Sequence, residues 1–378
     1  MGRELVVLSV FGTRPEAIKM APLVKALEAA DGIRSVVCVT AQHRQMLDSV
    51  LRQFDITPDF DLNLMKAGQT LTSITTGVLE GMEQVLRQLR PDIVLVHGDT
   101  TTSFAAALAA FYQQVAVGHV EAGLRSFDRY SPFPEEINRT LTGRLATLHF
   151  APTEHSRINL EREGVTEGVH VVGNTVIDAL RQMVRDDYTF ASPALRELPL
   201  NEGRWVLMTA HRRENLGQPL HAICRGVRRM TEAFADVQVV YPMHPNPAVR
   251  EVVKQELGGA ARIHLMEPVD VEDMHNLIRR SYLVMTDSGG LQEEAPALGK
   301  PVVVLRTETE RPEVVDSGMA ILAGVEEESV YRAGCSLLGD EALYHRMSHA
   351  INPYGDGQTS ARIVAILQEF GRRLAERP

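Results

Sequence analysis

Acids and histidines crowd one stretch of the chain, 93–139. The run IVLVHGDTTTS brings His97 and Asp99, VAVGHVEAGLRS brings His119 and Glu121, and SPFPEEINR brings Glu135 and Glu136. The first two clusters each follow a short apolar run, Ile93–Val96 or Val115–Val117, and the carboxyl ends of strands are where open α/β sheets keep their ligand chemistry. The third is a Pro-bounded loop that delivers its glutamates onto the start of a helix. Carboxylates converging on one rim are costly unless they are paired or used to move protons. Two chemistries fit: acid–base work by Asp99, Glu121 and Glu135, or metal ligation by His97, Asp99, His119 and Glu121, since side chains two apart on a strand share a face. Arginines suited to phosphate on the neighbouring rims, and Thr and Gly neighbours that add no ligands, favour proton transfer without a metal.

A second group of residues suits an anion. Gly12-Thr13-Arg14-Pro15-Glu16 follows the apolar run Leu5–Phe11, with Thr13 as cap, Pro15 in the first turn and Glu16 three after the cap, so a helix starts here. Its first amides could face an anion with Arg14 and Lys19 as partners, and two cations in a first turn run against the helix dipole. Further on, Asp287-Ser288-Gly289-Gly290 lies between a strand and a helix, where two glycines let backbone amides approach a diphosphate. Glu294, one turn in, could accept from ribose hydroxyls. Polar residues also follow strands at His211-Arg212-Arg213, at His244-Pro245-Asn246 and at Arg311. The glycines form neither the dinucleotide fingerprint nor a Walker loop.

The elements that must position these residues alternate strand and helix. Strands are expected at Leu5–Phe11, Ser35–Thr40, Ile93–Val96, Val115–Val117, Leu148–Ala151 and Val169–Val172, then at Trp205–Thr209, Val237–Tyr241, Ile263–Met266, Tyr282–Thr286 and Pro301–Leu305. This grammar predicts an α/β protein of two doubly wound, Rossmann-like domains facing a central cleft. The first covers 1–185, an unpatterned polar linker 186–204 follows, and the second covers 205–358. A terminal helix at about 359–374 is expected to pack back onto the first domain.

Composition agrees with an ordinary enzyme: 378 residues, 44% hydrophobic and 23% charged. A net charge of −10 argues against a nucleic-acid partner. Three scattered cysteines fit a reducing compartment, and neither a signal-peptide pattern nor a membrane-length apolar run is present, so a cytoplasmic protein is expected.

Taken in order, GTRPEAIK, HGDTTT, GHVEAGLR, PFPEEINR, GNTVIDAL, TAHRREN, DSGGLQEEAPALGKP, ERPE and NPYGDG resemble the non-hydrolysing UDP-N-acetylglucosamine 2-epimerases. The resemblance implies the GT-B architecture, a homodimer and no cofactor. It places Asp99, Glu121, Glu135 and His211 at catalytic positions, and Arg14, Lys19, Ser288, Gly289, Gly290, Glu294 and Arg311 at UDP-sugar contacts. Gln42, Gln45, Glu135, Arg212 and His244 resemble a regulatory site at which some bacterial members bind a second UDP-N-acetylglucosamine. Two departures stand out: Gly68 replaces an arginine of some such members, and Arg306-Thr307-Glu308-Thr309 lacks the more usual acid after its arginine.

Such an enzyme would interconvert UDP-N-acetylglucosamine and UDP-N-acetylmannosamine, supplying the latter sugar for cell-surface polysaccharide. Inverting C2 without a redox cofactor requires breaking the C1–O bond, so that UDP leaves by elimination to a 2-acetamidoglucal and then re-adds. That path needs cations for the diphosphate and carboxylates near both faces of C2. The alternatives are a hydrolysing epimerase, a GT-B glycosyltransferase, a metallohydrolase and, least suited to three carboxylates, a nucleotide-sugar sensor.

Overall fold

The computed structural model describes residues 3–40, 44–64 and 68–376, with the side chains of 44–46 outside the description. The chain forms two compact units, Met1–Ala179 with Tyr354–Pro378, and Leu180–Pro353.

The first unit holds a seven-stranded sheet: β1 Leu5–Phe11, β2 Ile33–Val39, β3 Phe60–Asp61, β4 Ile93–His97, β5 Ala116–Val120, β6 Leu148–Ala151 and β7 Val169–Val171. The order is β3-β2-β1-β4-β5-β6-β7, and every pairing is parallel. Strands buried on both faces read as continuous apolar runs; Ile93, Val94, Leu95 and Val96 are all fully buried. The second unit holds β8 Arg204–Thr209, β9 Val237–Pro242, β10 Ile263–Met266, β11 Leu283–Thr286, β12 Val302–Val304 and β13 Ala320–Leu322. Its order, β10-β9-β8-β11-β12-β13, repeats that of the first. In each sheet the first strand pairs with the second on one side and the fourth on the other. The order therefore reverses beside β1 and β8, and the crevice at such a switch point is where these folds bind ligands.

Strand β5 runs past the expected Val117 and takes in His119, and the short β3 and β13 have no counterpart in the apolar pattern. The expected linker is corrected more substantially. Segment 186–204 belongs to the second unit, carries the short helix Pro193–Arg196, and buries Tyr188, Phe190, Leu195 and Leu200. Buried Asp273 gathers it: the Tyr188 hydroxyl and the Ala191 amide donate to Oδ1, and the Ser192 amide donates to Oδ2, each at 2.8 Å. The segment lacks periodicity because its apolar side chains are placed by this one carboxylate and not by a regular element.

The chain divides after Ala179 inside the helix Thr175–Met183, and returns to the first unit at Tyr354. Two motifs form that return together. The Asn174 amide donates to Tyr354 O at 2.8 Å, and buried Asp178 accepts from the amides of Thr359 and Ser360 at 3.2 and 2.7 Å. They start the helix Thr359–Ala375, which buries Ile363 and Leu367 and packs on the helix Arg14–Glu28. Among the described residues no helix is long and apolar enough to cross a membrane.

Asp273→Ala leaves a phenol and two amides unsatisfied and should cost about 3 kcal/mol. Thermal melts together with limited proteolysis would check this; melting unchanged, with 186–204 still protected, would refute it.

Candidate active site at two sheet switch points

Beside the first switch point, the loop after β1 is tied to the loop after β4 by one side chain. Glu16 is 2% exposed. Its Oε2 accepts the amides of Gly12 and Thr13 at 3.0 and 2.7 Å, and its Oε1 accepts the hydroxyls of Thr100 and Ser103 at 2.6 and 2.9 Å. The capping box foreseen around Thr13 forms, but the same carboxylate also reaches the start of the helix Thr101–Tyr112. This corrects one expectation: the Gly12 and Thr13 amides are occupied by Glu16 and are not open to an external anion.

Arg14 and Lys19 also part company. Arg14 makes no hydrogen bond or ion pair among the described residues, whereas the Lys19 ammonium contacts Glu121 Oε2. The same oxygen accepts from Asn174 Nδ2 at 3.1 Å and lies 3.7 Å from His97 Nε2. Glu121 has φ +62°, in the left-handed region that costs a non-glycine residue of order 1 kcal/mol. That conformation turns its carboxylate from the end of β5 towards Lys19 and His97. Burial lowers the His97 pKa, with Glu121 opposing the shift.

Asp99 is held from the helix Glu135–Leu145. Asn138 Nδ2 donates to the Asp99 carbonyl at 3.0 Å, and Arg139 Nη2 lies 3.1 Å from Asp99 Oδ2. Burial nevertheless raises the Asp99 pKa to about 6; Arg139 opposes the rise, while nearby Glu121 and Glu135 add to it. Asp99 thus lies close enough to Glu121 and Glu135 to feel both charges. Glu136 has a different task, because its oxygens accept the Ser126 and Phe127 amides at 3.0 and 2.9 Å and fix the preceding loop. Glu135 keeps a buried Oε2 with no hydrogen-bond partner among the described residues.

His119 is fully buried, with Nε2 donating to the Gly98 carbonyl at 2.7 Å, and burial lowers its pKa to about 3. Its Nε2 is thus engaged by backbone and not presented beside Glu121. Among the described residues no group of three or more His, Cys, Asp or Glu side chains is placed to hold a metal.

In the second unit the loops after β8 and β11 meet in the same way. Fully buried Asp287 accepts the His211 and Arg212 amides and Asn215 Nδ2 on Oδ2, at 2.7, 2.8 and 3.0 Å. The His211 ring stacks on His244, with centroids 5.2 Å apart and planes 7° from parallel. The helix Gly289–Ala297 begins with Ser288 as cap, whose side chain makes no capping bond, leaving the hydroxyl and the first amides for a ligand. Arg311 lies across this helix start, with Nε on Glu293 Oε1 at 2.6 Å and Nη1 on Glu310 Oε2 at 3.1 Å. A Cβ on Gly289 would come within 2.5 Å of Arg311 Nη1, so a larger residue there would push the guanidinium from its place. Glu294 Oε2 lies 3.3 Å from the Nε2 of buried His275.

Of the expected regulatory residues, Arg212 and His244 lie beside His211; Gln42 and the Gln45 side chain fall outside the described residues. Exposed Gly68 has φ +72°, a conformation that a substituting arginine would adopt only with strain. Arg306, without the usual acid after it, donates from Nε to Glu214 Oε1 at 2.7 Å and has Glu310 3.6 Å away. The sequence pattern missed Asn174, Arg139, Asp287 and His275 as site residues, although Arg139 stands three and four places after the helix-start glutamates, a spacing that puts them on one face.

Two parallel sheets in the Rossmann order, each with its polar residues gathered beside its switch point, place the protein in the two-domain GT-B class of α/β proteins. A profile of the UDP-N-acetylglucosamine 2-epimerases matches residues 25–368. The UDP-N-acetylglucosamine 2-epimerase of Bacillus subtilis is 55% identical over 98% of this chain and 97% of its own. Among solved structures, Staphylococcus aureus MnaA with UDP has a TM-score of 0.89 at 51% identity, over 99% of both chains. The Neisseria meningitidis UDP-GlcNAc 2-epimerase bound to UDP-GlcNAc has a TM-score of 0.86 at 45% identity, over 97% of this chain and 100% of that one. The chain belongs to the UDP-N-acetylglucosamine 2-epimerase family and is an enzyme of its non-hydrolysing bacterial kind.

Glu16→Ala strands two amides and two hydroxyls and should cost about 3 kcal/mol. Glu16→Gln should cost only about 1 kcal/mol, because the Thr100 and Ser103 hydroxyls can rotate to accept from the new amide. Denaturant melts would check both values, and equal losses would show that the charge, not the bonding pattern, matters.

Proposed function

We propose that the protein interconverts UDP-N-acetylglucosamine and UDP-N-acetylmannosamine by elimination and re-addition of UDP, with no cofactor. The observation that carries this reading is the unequal setting of three neighbouring carboxylates. Asp99 has its pKa raised to about 6, Glu121 is held by Lys19 and Asn174, and Glu135 keeps an unpartnered buried oxygen. A carboxyl group poised near neutrality beside carboxylates set in unlike surroundings suits proton transfer at neutral pH. The substrate assignment is supported by the similar N. meningitidis enzyme, whose structure holds UDP-GlcNAc.

In the proposed path the C1–O bond breaks with its electron pair leaving on UDP. A carboxylate takes the C2 proton, and the C1–C2 double bond of the 2-acetamidoglucal forms. A second group, in its carboxylic acid form, then delivers its proton to C2 from the opposite face, and the diphosphate oxygen re-forms the bond to C1. Asp99, Glu121 and Glu135 share these transfers. Arg14, Arg311, the Ser288–Gly290 helix start and His211 stabilise the diphosphate, and Glu294 serves the ribose. Lys19, bound to Glu121, contributes by orienting that carboxylate as much as by meeting the substrate.

The wider reading is a cytoplasmic homodimer that supplies N-acetylmannosamine units for cell-surface polysaccharide. A second UDP-N-acetylglucosamine would activate it at Gln42, Gln45, Arg212 and His244. Half-exposed Phe111 and Tyr112, ending the helix Thr101–Tyr112, are apolar surface suited to a partner subunit.

Incubation with UDP-N-acetylglucosamine in D2O, followed at C2 by proton NMR, should give UDP-N-acetylmannosamine carrying deuterium at C2. Free N-acetylmannosamine with UDP would indicate the hydrolysing reaction, and unchanged substrate would remove the epimerase reading. Because burial sets Asp99 near 6, the pH profile of kcat/KM should carry a limb at about 6: Asp99 is neutral below it and ionised above. Asp99→Asn should abolish that limb and lower kcat roughly 10²-fold or more. A limb that persists in the variant would take Asp99 out of the proton transfers.

A further inference from the structure

Asp287 does more than hold a loop. Its Oδ2 is fully used by the His211 and Arg212 amides and by Asn215 Nδ2. Its Oδ1 is equally buried and has no hydrogen-bond partner among the described residues. What faces that oxygen is the His211 ring, with Nδ1 3.5 Å away. The His211 side chain is 35% exposed while Asp287 is wholly buried, so the imidazole can make the small rotation that closes the bond. An unpaired buried carboxylate oxygen is costly, and the ring nitrogen is the donor within reach.

We propose that Asp287 is the positioning residue of His211, holding the imidazole with its proton on Nδ1 so that Nε2 is the atom presented to the departing diphosphate. The backbone bonds and the ring contact come from the same carboxylate. Loop and ring are therefore fixed together: Oδ2 places the His211 Cα and Oδ1 sets the ring and its tautomer. The half-exposed ring draws its second proton from solvent when the diphosphate binds; its Nε2–H then donates to UDP as negative charge grows there, and Asp287 stabilises the ring bearing both protons. The groups around the ring have opposed effects. Burial lowers its pKa most, Asp287 raises it, and His244 and Arg212 lower it. Among these only Asp287 favours the imidazolium, which is why a carboxylate and not an amide is needed there.

This role for Asp287 rests on the proposed part of His211 in catalysis, and the test separates the two. In the full-length enzyme, Asp287→Asn keeps an oxygen for the three N–H donors but offers an NH2 to His211 Nδ1, which forces the proton onto Nε2. The expected result is a loss in kcat of roughly 10²-fold or more with KM changed far less. In 15N-histidine NMR spectra, the His211 signal, assigned by its disappearance in His211→Gln, should report Nδ1–H in the wild type and Nε2–H in the variant. A wild-type signal showing the proton on Nε2 overturns the proposal without any substitution at 287, as does Asp287→Asn with unchanged kcat and tautomer. Should His211→Gln retain kcat, the catalytic part of His211 fails, and the tautomer measurement still decides whether Asp287 sets the ring.

Discussion

The first unit depends on burying one carboxylate, Glu16, between two loops. Burying a carboxylate costs several kcal/mol unless its lone pairs are satisfied, and Glu16 has four donors, two from the loop after β1 and two from the loop after β4. The single Ser103 hydroxyl proton is shared with the His97 carbonyl, 2.6 Å away, so the end of β4 is gripped at the same point. From there the constraint passes to Asp99, the residue before Thr100, whose carbonyl and carboxylate are held by Asn138 and Arg139. Asp99 is thus positioned from two sides by elements that meet only because the sheet order reverses between β1 and β4.

The second unit meets the same geometric problem with the direction reversed. There the carboxylate follows the fourth strand, and its donors come from the loop after the first. Amides gather at the carboxyl ends of parallel strands and at helix starts, so a side chain with several acceptor sites is the economical link between two such loops. A hydroxyl could serve one or two of these donors, but not three or four. Within each unit the cations stand apart from these braces: Lys19 answers Glu121 in the first, and Arg311 answers Glu293 and Glu310 in the second.

How much of this was legible in the sequence follows from the range of each interaction. The strands, the Thr13 cap and the polar rims were readable because apolar runs and capping spacings are local. Adjacent glutamates are locally alike, so nothing in PFPEEINR separates Glu136, spent on two backbone amides, from Glu135, which keeps a buried oxygen unpaired. The second reach of Glu16, 84 residues to Thr100, is a tertiary fact. The segment 186–204 looked like a linker because its buried side chains follow no period; its order is imposed by Asp273, more than 80 residues away. Asp287 was visible only as the residue before Ser-Gly-Gly, since its bonding depends on the pairing of β8 with β11.

The sequence motifs that carry the family resemblance therefore divide by physical task and not by proximity to the substrate. Asn174 and Asp178 of GNTVIDAL, with Tyr354 and its successors, carry the chain back into the first unit. Yet the Asn174 side chain ends on Glu121, joining that crossing to a proposed proton-transfer group. Substitution at Asn174 would therefore disturb the crossing and the carboxylate together, and a loss of activity there would not by itself mark a residue that touches the sugar. The left-handed backbone of Glu121 gives the same lesson from the other side. A strained conformation is kept only where its surroundings over-determine it, and here Lys19 of the helix after β1 and Asn174 of the return crossing bind the carboxylate, with His97 at the end of β4 3.7 Å away.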